Sequence, residues 1–140
     1  MAKNSFIILL VVFVAATVAA LEREPLNTPE GTSVERFTLG GTVQGAIPIY
    51  HYQDTVTADI DQKEIIVNIQ YPNPQTADQS ADSANAVVTS VSLYLVGTQD
   101  FTSQAFTTSG GIGERSITLQ VVASNTETLR YVVIIEGLLD

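Results

Sequence analysis

A chain of 140 residues is long enough for one domain and hardly for two, and its fifteen acidic and six basic side chains give a net charge of −9. Such a surface repels phosphate, so nucleic acids and anionic lipid surfaces are not expected as partners. The chain holds no cysteine and one histidine, which excludes disulfide bonds and leaves a zinc site without the ligands it needs.

Residues 1–20 have the three-part composition of a secretory signal peptide. Lys3 supplies a positive start, residues 6–14 form an apolar run, and residues 18–20 are the small side chains that precede a cleavage site. The whole apolar stretch, residues 6–21, spans sixteen residues, fewer than the ~20 that a membrane-spanning helix requires. We therefore predict cleavage after Ala20, a secreted, extracellular product, and no membrane association after cleavage.

Residues 21–35 are predicted to form an extended N-terminal arm, followed by a single domain over residues 36–140. Two prolines, a glycine and four charged side chains occupy the first twelve residues of the arm, a composition typical of irregular chain. Loss of Lys3 with the leader leaves five basic and fifteen acidic side chains, a net charge of −10. An acidic product of this kind favours basic or neutral partners.

Four later segments alternate apolar and polar residues with a period of two. The predicted inner faces are Ile65, Val67, Ile69 and Tyr71; Val91, Leu93 and Leu95; Ile117, Leu119 and Val121; and Leu129, Tyr131, Val133 and Ile135. This alternation, with its β-branched and aromatic residues, indicates half-buried antiparallel strands. Residues 33–39 and 42–53 are predicted as less regular strands, in which Gly45 and Pro48 indicate a bulge or an edge position.

These segments predict an all-β fold. No convincing helical period follows residue 20, and turn signals separate seven or eight strands. An antiparallel β-sandwich, or a flattened barrel, lets each alternating face bury its apolar side. Residues 72–86 are predicted to form a long solvated loop because they lack bulky apolar side chains.

The stretch TTSGGIGE at residues 107–114 raises the question of a phosphate-binding loop. A P-loop places a lysine and a serine or threonine after its last glycine, and it opens a helix. Here Glu114 and Arg115 follow Gly113, and the next residues alternate as a strand. We therefore interpret the stretch as a hairpin turn whose glycines adopt positive φ.

His51, the single histidine, lies near Asp54 in a chain rich in serine, so a Ser-His-Asp hydrolytic triad is one hypothesis. The nucleophile motif G-x-S-x-G is absent. We interpret His51 as a half-exposed strand side chain. No catalytic, cofactor-binding or metal-ligating residue is predicted, and no cofactor.

Tyr50 and Tyr52, on either side of His51, share one strand face. They could contribute to a small recognition patch, but packing against the opposite sheet is the favoured interpretation. The absence of tryptophan argues against the stacking of a carbohydrate.

Two pairs of carboxylates are candidates for cation binding. Asp59 and Asp61 point to the same side of an extended chain, and Asp78 and Asp82 lie in the long polar loop. Such pairs suit calcium binding or glycoside hydrolysis. No EF-hand spacing is present, and we interpret these residues as a solvated acidic surface, leaving calcium binding open.

Five segments together resemble one protein family. They are LGGTVQGAIPIYH (39–51), VNIQYP (67–72), VTSVSLYLV (88–96), TSGGIGERSITLQVVAS (108–124) and a last strand ending in IIEG at Gly137. In this combination, residues 36–137 resemble the insect multiprotein-bridging-factor-2 family, described in general as "transcription activator". That family also includes pathogen-response proteins of caterpillar midgut and secreted proteins of bug saliva and venom.

The chain departs from the family pattern in three places. Residues 97–100 separate the central strand from the position where the family often has Asp-Gln, and residues 124–131 lack a glycine-containing stretch. Glu136 stands where the family has tyrosine before its closing glycine. These changes fall in loops and at an end, so the implied fold is unaffected. The family has no established catalytic residues to transfer.

The leading hypothesis is a secreted, non-enzymatic β-sandwich protein of an insect secretion, such as venom, saliva or gut fluid, that binds an unknown protein partner or host target. The resemblance also implies an alternative, an intracellular transcription coactivator acting through protein–protein contacts. A weak hydrolase using His51 is the third hypothesis. The predicted signal peptide favours the first.

Overall fold

The computed structural model describes residues 19–28, 31–59, 64–73 and 85–139. Its regular structure there consists of the strands β1 (Ala19–Ala20), β2 (Glu22–Leu26), β3 (Thr32–Gly40), β4 (Ile47–Thr57), β5 (Glu64–Tyr71), β6 (Val87–Thr98), β7 (Thr102–Gly110), β8 (Ile117–Ser124) and β9 (Thr128–Leu138). Eight of these strands have five residues or more, and β1 has two. The all-β prediction is confirmed. Among the residues described, none forms a helix that could span a membrane.

The strands form two sheets that pack face to face. One sheet has four strands in the order β1-β7-β8-β5, and the other has five in the order β2-β3-β6-β9-β4. Every neighbouring pair is antiparallel. Each sheet ends in two edge strands, and the sheets do not close on one another within the part of the chain that is described. The architecture is therefore the predicted β-sandwich and not the flattened barrel.

The hydrophobic core lies between the sheets and is built from alternate residues of the strands. The predicted inner faces are buried in full: Ile65, Val67, Ile69 and Tyr71; Val91, Leu93 and Leu95; Ile117, Leu119 and Val121; Leu129, Tyr131, Val133 and Ile135. Their neighbours along β5, β8 and β9 are half-buried or exposed. Because burial of one large aliphatic side chain contributes about 1.5–3 kcal/mol, this alternation supplies the main stabilisation of the fold.

The segment predicted as an arm, residues 21–35, is extended but belongs to the sandwich. Leu21 is 5% exposed and donates its backbone N–H to the carbonyl of Ala105, 3.1 Å away. β2 then pairs with β3 along its whole length. The domain therefore begins before the predicted boundary at residue 36. The composition of β2 gave no sign of this, because its pairing is with a strand several residues further along the chain.

Strand β4 is an edge strand with a bulge, as Gly45 and Pro48 indicated. It begins at Ile47, later than predicted, because a turn closed by a 3.1 Å hydrogen bond from the Ala46 N–H to the Val43 carbonyl precedes it. The pairing with β9 shifts by one residue after Pro48. A bulge of this kind reorients the side chains that follow it, and here it determines which residues of β4 face the core.

Candidate functional site

Four tyrosine rings lie close together at the edge of the sandwich formed by β4: two from β4, one from its neighbour β9 and one from β5 of the opposite sheet. The bulge leaves both Ile49 and Tyr50 buried, and the regular alternation that follows turns Tyr52 to the same side. The ring centroids are 5.6 Å apart for Tyr50 and Tyr71, 6.4 Å for Tyr50 and Tyr52, and 6.1 Å for Tyr52 and Tyr131. We refer to Tyr50, Tyr52, Tyr71 and Tyr131 as the tyrosine cluster.

The cluster joins the two sheets at one edge of the sandwich. Tyr50 lies in the five-stranded sheet and Tyr71 in the four-stranded sheet, so the predicted packing of Tyr50 against the opposite sheet is confirmed. Tyr52 is half-buried and contacts Tyr131 of the neighbouring strand. Tilted and offset ring pairs at these distances are attractive by about 0.5–1.5 kcal/mol beyond their area burial.

Asp54 lies at the solvent side of the cluster. Its carboxylate accepts a 2.8 Å hydrogen bond from the backbone N–H of Thr55 and a longer one, 3.4 Å, from the hydroxyl of Tyr52. Two residues separate Tyr52 from Asp54 along the strand, so both side chains project to the same face. The carboxylate is exposed, and it therefore remains accessible to a partner.

The electrostatic environment keeps two phenols of the cluster protonated. Burial, with smaller contributions from Tyr52, Asp54 and Tyr50, raises the pKa of Tyr131 to about 12. Burial also raises the pKa of Tyr52, and the nearby Asp54 carboxylate adds to the effect. Both causes act against the phenolate, because it would lose hydration and lie beside another negative charge. Near neutral pH these hydroxyls are hydrogen-bond donors.

This pKa difference predicts a loss of stability at alkaline pH. The ordinary pKa of tyrosine, 10.0, applies to the unfolded chain, whereas that of Tyr131 in the fold is about 12. The folded state holds the proton more tightly, so the stabilisation is present below pH 10 and is lost as the pH rises towards 12. In Tyr131→Phe we expect a smaller fall in the free energy of unfolding over that range, measured by urea titration.

A matched control for this experiment is Tyr94→Phe, since Tyr94 is half-buried on β6 and lies outside the tyrosine cluster. This variant should lose stability between pH 10 and pH 12 as the unsubstituted protein does. An equal loss in Tyr131→Phe would contradict the assignment.

Beside Asp54 the surface forms a shallow, open depression lined by Gln53, Asp54, Thr55 and Arg130. Arg130 stands opposite Thr55 in the pairing of β4 with β9. We call the combined surface the β4 edge site; it comprises Tyr52, Gln53, Asp54, Thr55, Arg130 and Tyr131. Successive residues of a strand alternate between faces, so Tyr52 and Asp54, with Tyr131 opposite Asp54, project to one face. Gln53 and Thr55, with Arg130 opposite Thr55, project to the other, and the two groups meet only around the exposed edge of the sheet. An open surface of this kind suits hydrogen bonding to another macromolecule better than enclosure of a small ligand.

His51 and Asp54 are not brought together. His51 is exposed and paired with Ile134, whereas Asp54 projects to the same side as Tyr52. Residues three apart in a strand point to opposite faces, so the triad hypothesis lacks the contact between histidine and aspartate that it requires.

The glycine-rich stretch is the predicted hairpin turn between β7 and β8. Gly113 donates its N–H to the carbonyl of Val88, and the N–H of Val88 donates to the carbonyl of Glu114, each at 2.8 Å. The N–H of Gly111 bonds the carbonyl at the far end of the loop at 3.0 Å. These amides point at protein carbonyls and are not presented to an anion. The turn also ties the four-stranded sheet to the start of β6.

The predicted carboxylate pairs are only partly within the described residues. Asp59 is exposed just after β4, and Asp61, Asp78 and Asp82 lie outside the described ranges. Among described side chains, no group of three or more His, Cys, Asp or Glu is placed to hold a metal ion. Calcium binding by the remaining aspartates stays a prediction.

A buried carboxylate is the main feature that sequence reasoning missed. Glu35 is 2% exposed, and it accepts hydrogen bonds from the guanidinium of Arg23 and the hydroxyl of Ser103. Ser103 belongs to the opposite sheet, so Glu35 links the two layers. One signal was present in the sequence: Glu35 is in phase with Phe37, and an inner-face position is where a charge is least expected. We call Arg23, Glu35 and Ser103 the Glu35 cluster.

Comparisons with models of known protein families, with curated proteins and with solved structures found no match for this chain. Its class therefore follows from geometry: an antiparallel β-sandwich with an aromatic and polar site along one edge strand.

Proposed function

We propose that this chain is a secreted, non-enzymatic β-sandwich protein of an insect secretion, such as venom, saliva or gut fluid, and that it acts by binding a protein partner. The main support for the proposal is the position of the predicted cleavage site relative to the first core residue of the sandwich. Cleavage after Ala20 falls directly before Leu21, the first core residue along the described chain. Such cleavage removes the apolar leader and keeps every described core side chain.

The β4 edge site supports binding as the mode of action. Its Asp54 carboxylate is oriented by Tyr52 and by the Thr55 N–H, and Arg130 lines the same depression. The site therefore offers donors and acceptors of both charge signs on an open surface, which suits a polar protein partner. His51 faces the other way, so no proton transfer between it and Asp54 is supported. The insect setting is supported by the resemblance of residues 36–137.

Expression of the full chain in insect cells tests secretion. We expect the product in the culture medium, with Leu21 as its first residue, identified by mass spectrometry of the intact protein and of its N-terminal peptide. Leu10→Arg, which interrupts the apolar run, should leave the protein inside the cells. Ala20→Phe, which replaces the small residue before the cut, should block cleavage at that position.

Two outcomes would overturn the proposal. Intracellular retention of a product that still carries residues 1–20 would favour the transcription coactivator instead. Hydrolysis of ester or peptide substrates by the purified product, lost in His51→Ala, would favour the hydrolase.

A further inference from the structure

The four edge strands of the sandwich differ in how they are protected from pairing with another chain. β1 has two residues, which the proposed cleavage would remove; β7, the edge strand that this leaves, carries a bulge between Thr107 and Ser109. β2 has five residues, of which three are charged and one is proline. β4 carries Pro48, a bulge and the exposed carboxylate of Asp54. Short length, charge, proline and bulges are the features by which sheet edges avoid association.

Within the described residues, strand β5 has little of this protection: one charged residue, Glu64, at its start. Its eight residues, Glu64–Tyr71, pair with β8 in unbroken register and include no proline. β8 is its single strand neighbour within the described ranges. Alternate residues of an antiparallel edge strand direct their N–H and C=O groups away from the sheet, so β5 presents a regular template for one more strand.

The outer face of β5 also carries an exposed apolar side chain. Ile66 is 55% exposed, more than any other large apolar side chain in the described part of the chain. Its neighbour across the pairing with β8 is Val122, which is half-buried. The two side chains form an apolar row that runs to the edge of the sheet and stops there.

We propose that β5 is an interface between two copies of this chain, paired antiparallel about a twofold axis at Ile66. The two sheets that contain β5 then become one continuous antiparallel sheet. Antiparallel pairing of a strand with its own copy is self-complementary, as a twofold interface requires. Ile66 lies beside the Ile66 of the second copy, and the row of Ile66 and Val122 continues across the junction.

The distribution of charge favours a second copy at this edge. The chain has a net charge of −9, so most surfaces of two copies repel each other. Along β5, Glu64 is the single charged residue. With the axis at Ile66, Glu64 lies opposite the amide of Asn68, and the two glutamates of the dimer are kept apart. The carboxylate then faces a neutral amide and avoids the destabilisation that directly opposed like charges cause.

Sedimentation equilibrium of the purified protein tests the proposal. We expect a mass of about twice that of a single chain at micromolar concentration. Ile66→Lys places two positive charges side by side at the axis and should raise the dimer dissociation constant by about tenfold or more. The matched control is Gln104→Lys, an exposed position on the same face of the same sheet and in the same row as Ile66, two strands away. It should leave the mass unchanged.

Cysteine cross-linking gives a second test that is independent of affinity. Since the chain has no cysteine, Ile66→Cys introduces a single thiol. Mild oxidation should convert Ile66→Cys to a disulfide-linked dimer, while Gln104→Cys stays a single chain. Circular dichroism confirms that each variant is folded. A single-chain mass at all concentrations would overturn the proposal. So would a dimer that Ile66→Lys does not weaken, or equal cross-linking of the two cysteine variants.

Discussion

Gly110→Ala is expected to destabilise the sandwich by about 3 kcal/mol, because the site rejects a side chain for two reasons. Gly110 has a φ of 69°, a conformation in which a β-carbon crowds its own backbone. A β-carbon there would also lie 2.1 Å from the carbonyl oxygen of Ser116, at the far end of the turn. That oxygen belongs to the backbone of the hairpin and has no rotamer by which to move away. Urea unfolding at neutral pH measures the loss.

Alanine substitutions at two other glycines distinguish the cost of the backbone conformation from the cost of the steric clash. Gly113 has a φ of 86° with open space around its missing β-carbon, so Gly113→Ala should show the backbone cost alone, about 1 kcal/mol. Gly41 has neither positive φ nor a close neighbour, and Gly41→Ala should be neutral or slightly stabilising. If Gly110→Ala lost no more stability than Gly113→Ala, the close approach to Ser116 would have no energetic consequence.

Arg23→Met should cost about 2 to 3 kcal/mol, because it leaves the carboxylate of Glu35 buried without its cationic partner. The side chain of Glu35 is 3% exposed, whereas that of Arg23 is 49% exposed. The guanidinium can return to water at little cost, but the carboxylate cannot. The larger penalty therefore follows removal of the arginine. Thermal and urea unfolding of the variant measure it.

A second substitution distinguishes the buried charge from lost packing. Arg23→Met/Glu35→Gln removes the charge and keeps an acceptor for Ser103, so it should be more stable than Arg23→Met alone. Glu24→Gln is the control: its pair with Arg36, at 3.9 Å, is exposed and should contribute less than about 1 kcal/mol. If the double variant were no more stable than Arg23→Met, the role assigned to the buried charge would be wrong.

The proposed cleavage after Ala20 would leave in place two stabilising features near the new N-terminus, the buried Leu21 and the Glu35 cluster. Cleavage after Ala20 would remove the two residues of β1, which pair with Thr107 and Phe106 of β7. It would keep Leu21 in the core and Arg23 beside Glu35. A cut a few residues further along would remove both. The proposed cleavage position is thus compatible with the packing of the sandwich.

Local patterns predicted the strands well. The period of two predicts Ile65, Val67, Ile69 and Tyr71, with the matching residues of β6, β8 and β9, as core residues. It does so because the side chains of one strand alternate between faces whatever its neighbours are. The hairpin at residues 107–114 was also readable, since glycines mark positions where φ is positive. Pro48 marked an edge for a similar reason: it has no N–H to donate to a neighbour.

The sequence by itself determined the class of fold, the inner faces of the central strands and the glycine turn, because each depends on the conformation of residues close together in the chain. Tertiary structure decided that β2 joins a sheet, that Glu35 meets Arg23 and Ser103, that four tyrosines gather beside Asp54, and that β5 is an edge. These features depend on which distant strands become neighbours. The pairing of distant strands depends on how the whole core packs, so it cannot be predicted from the sequence of any single segment.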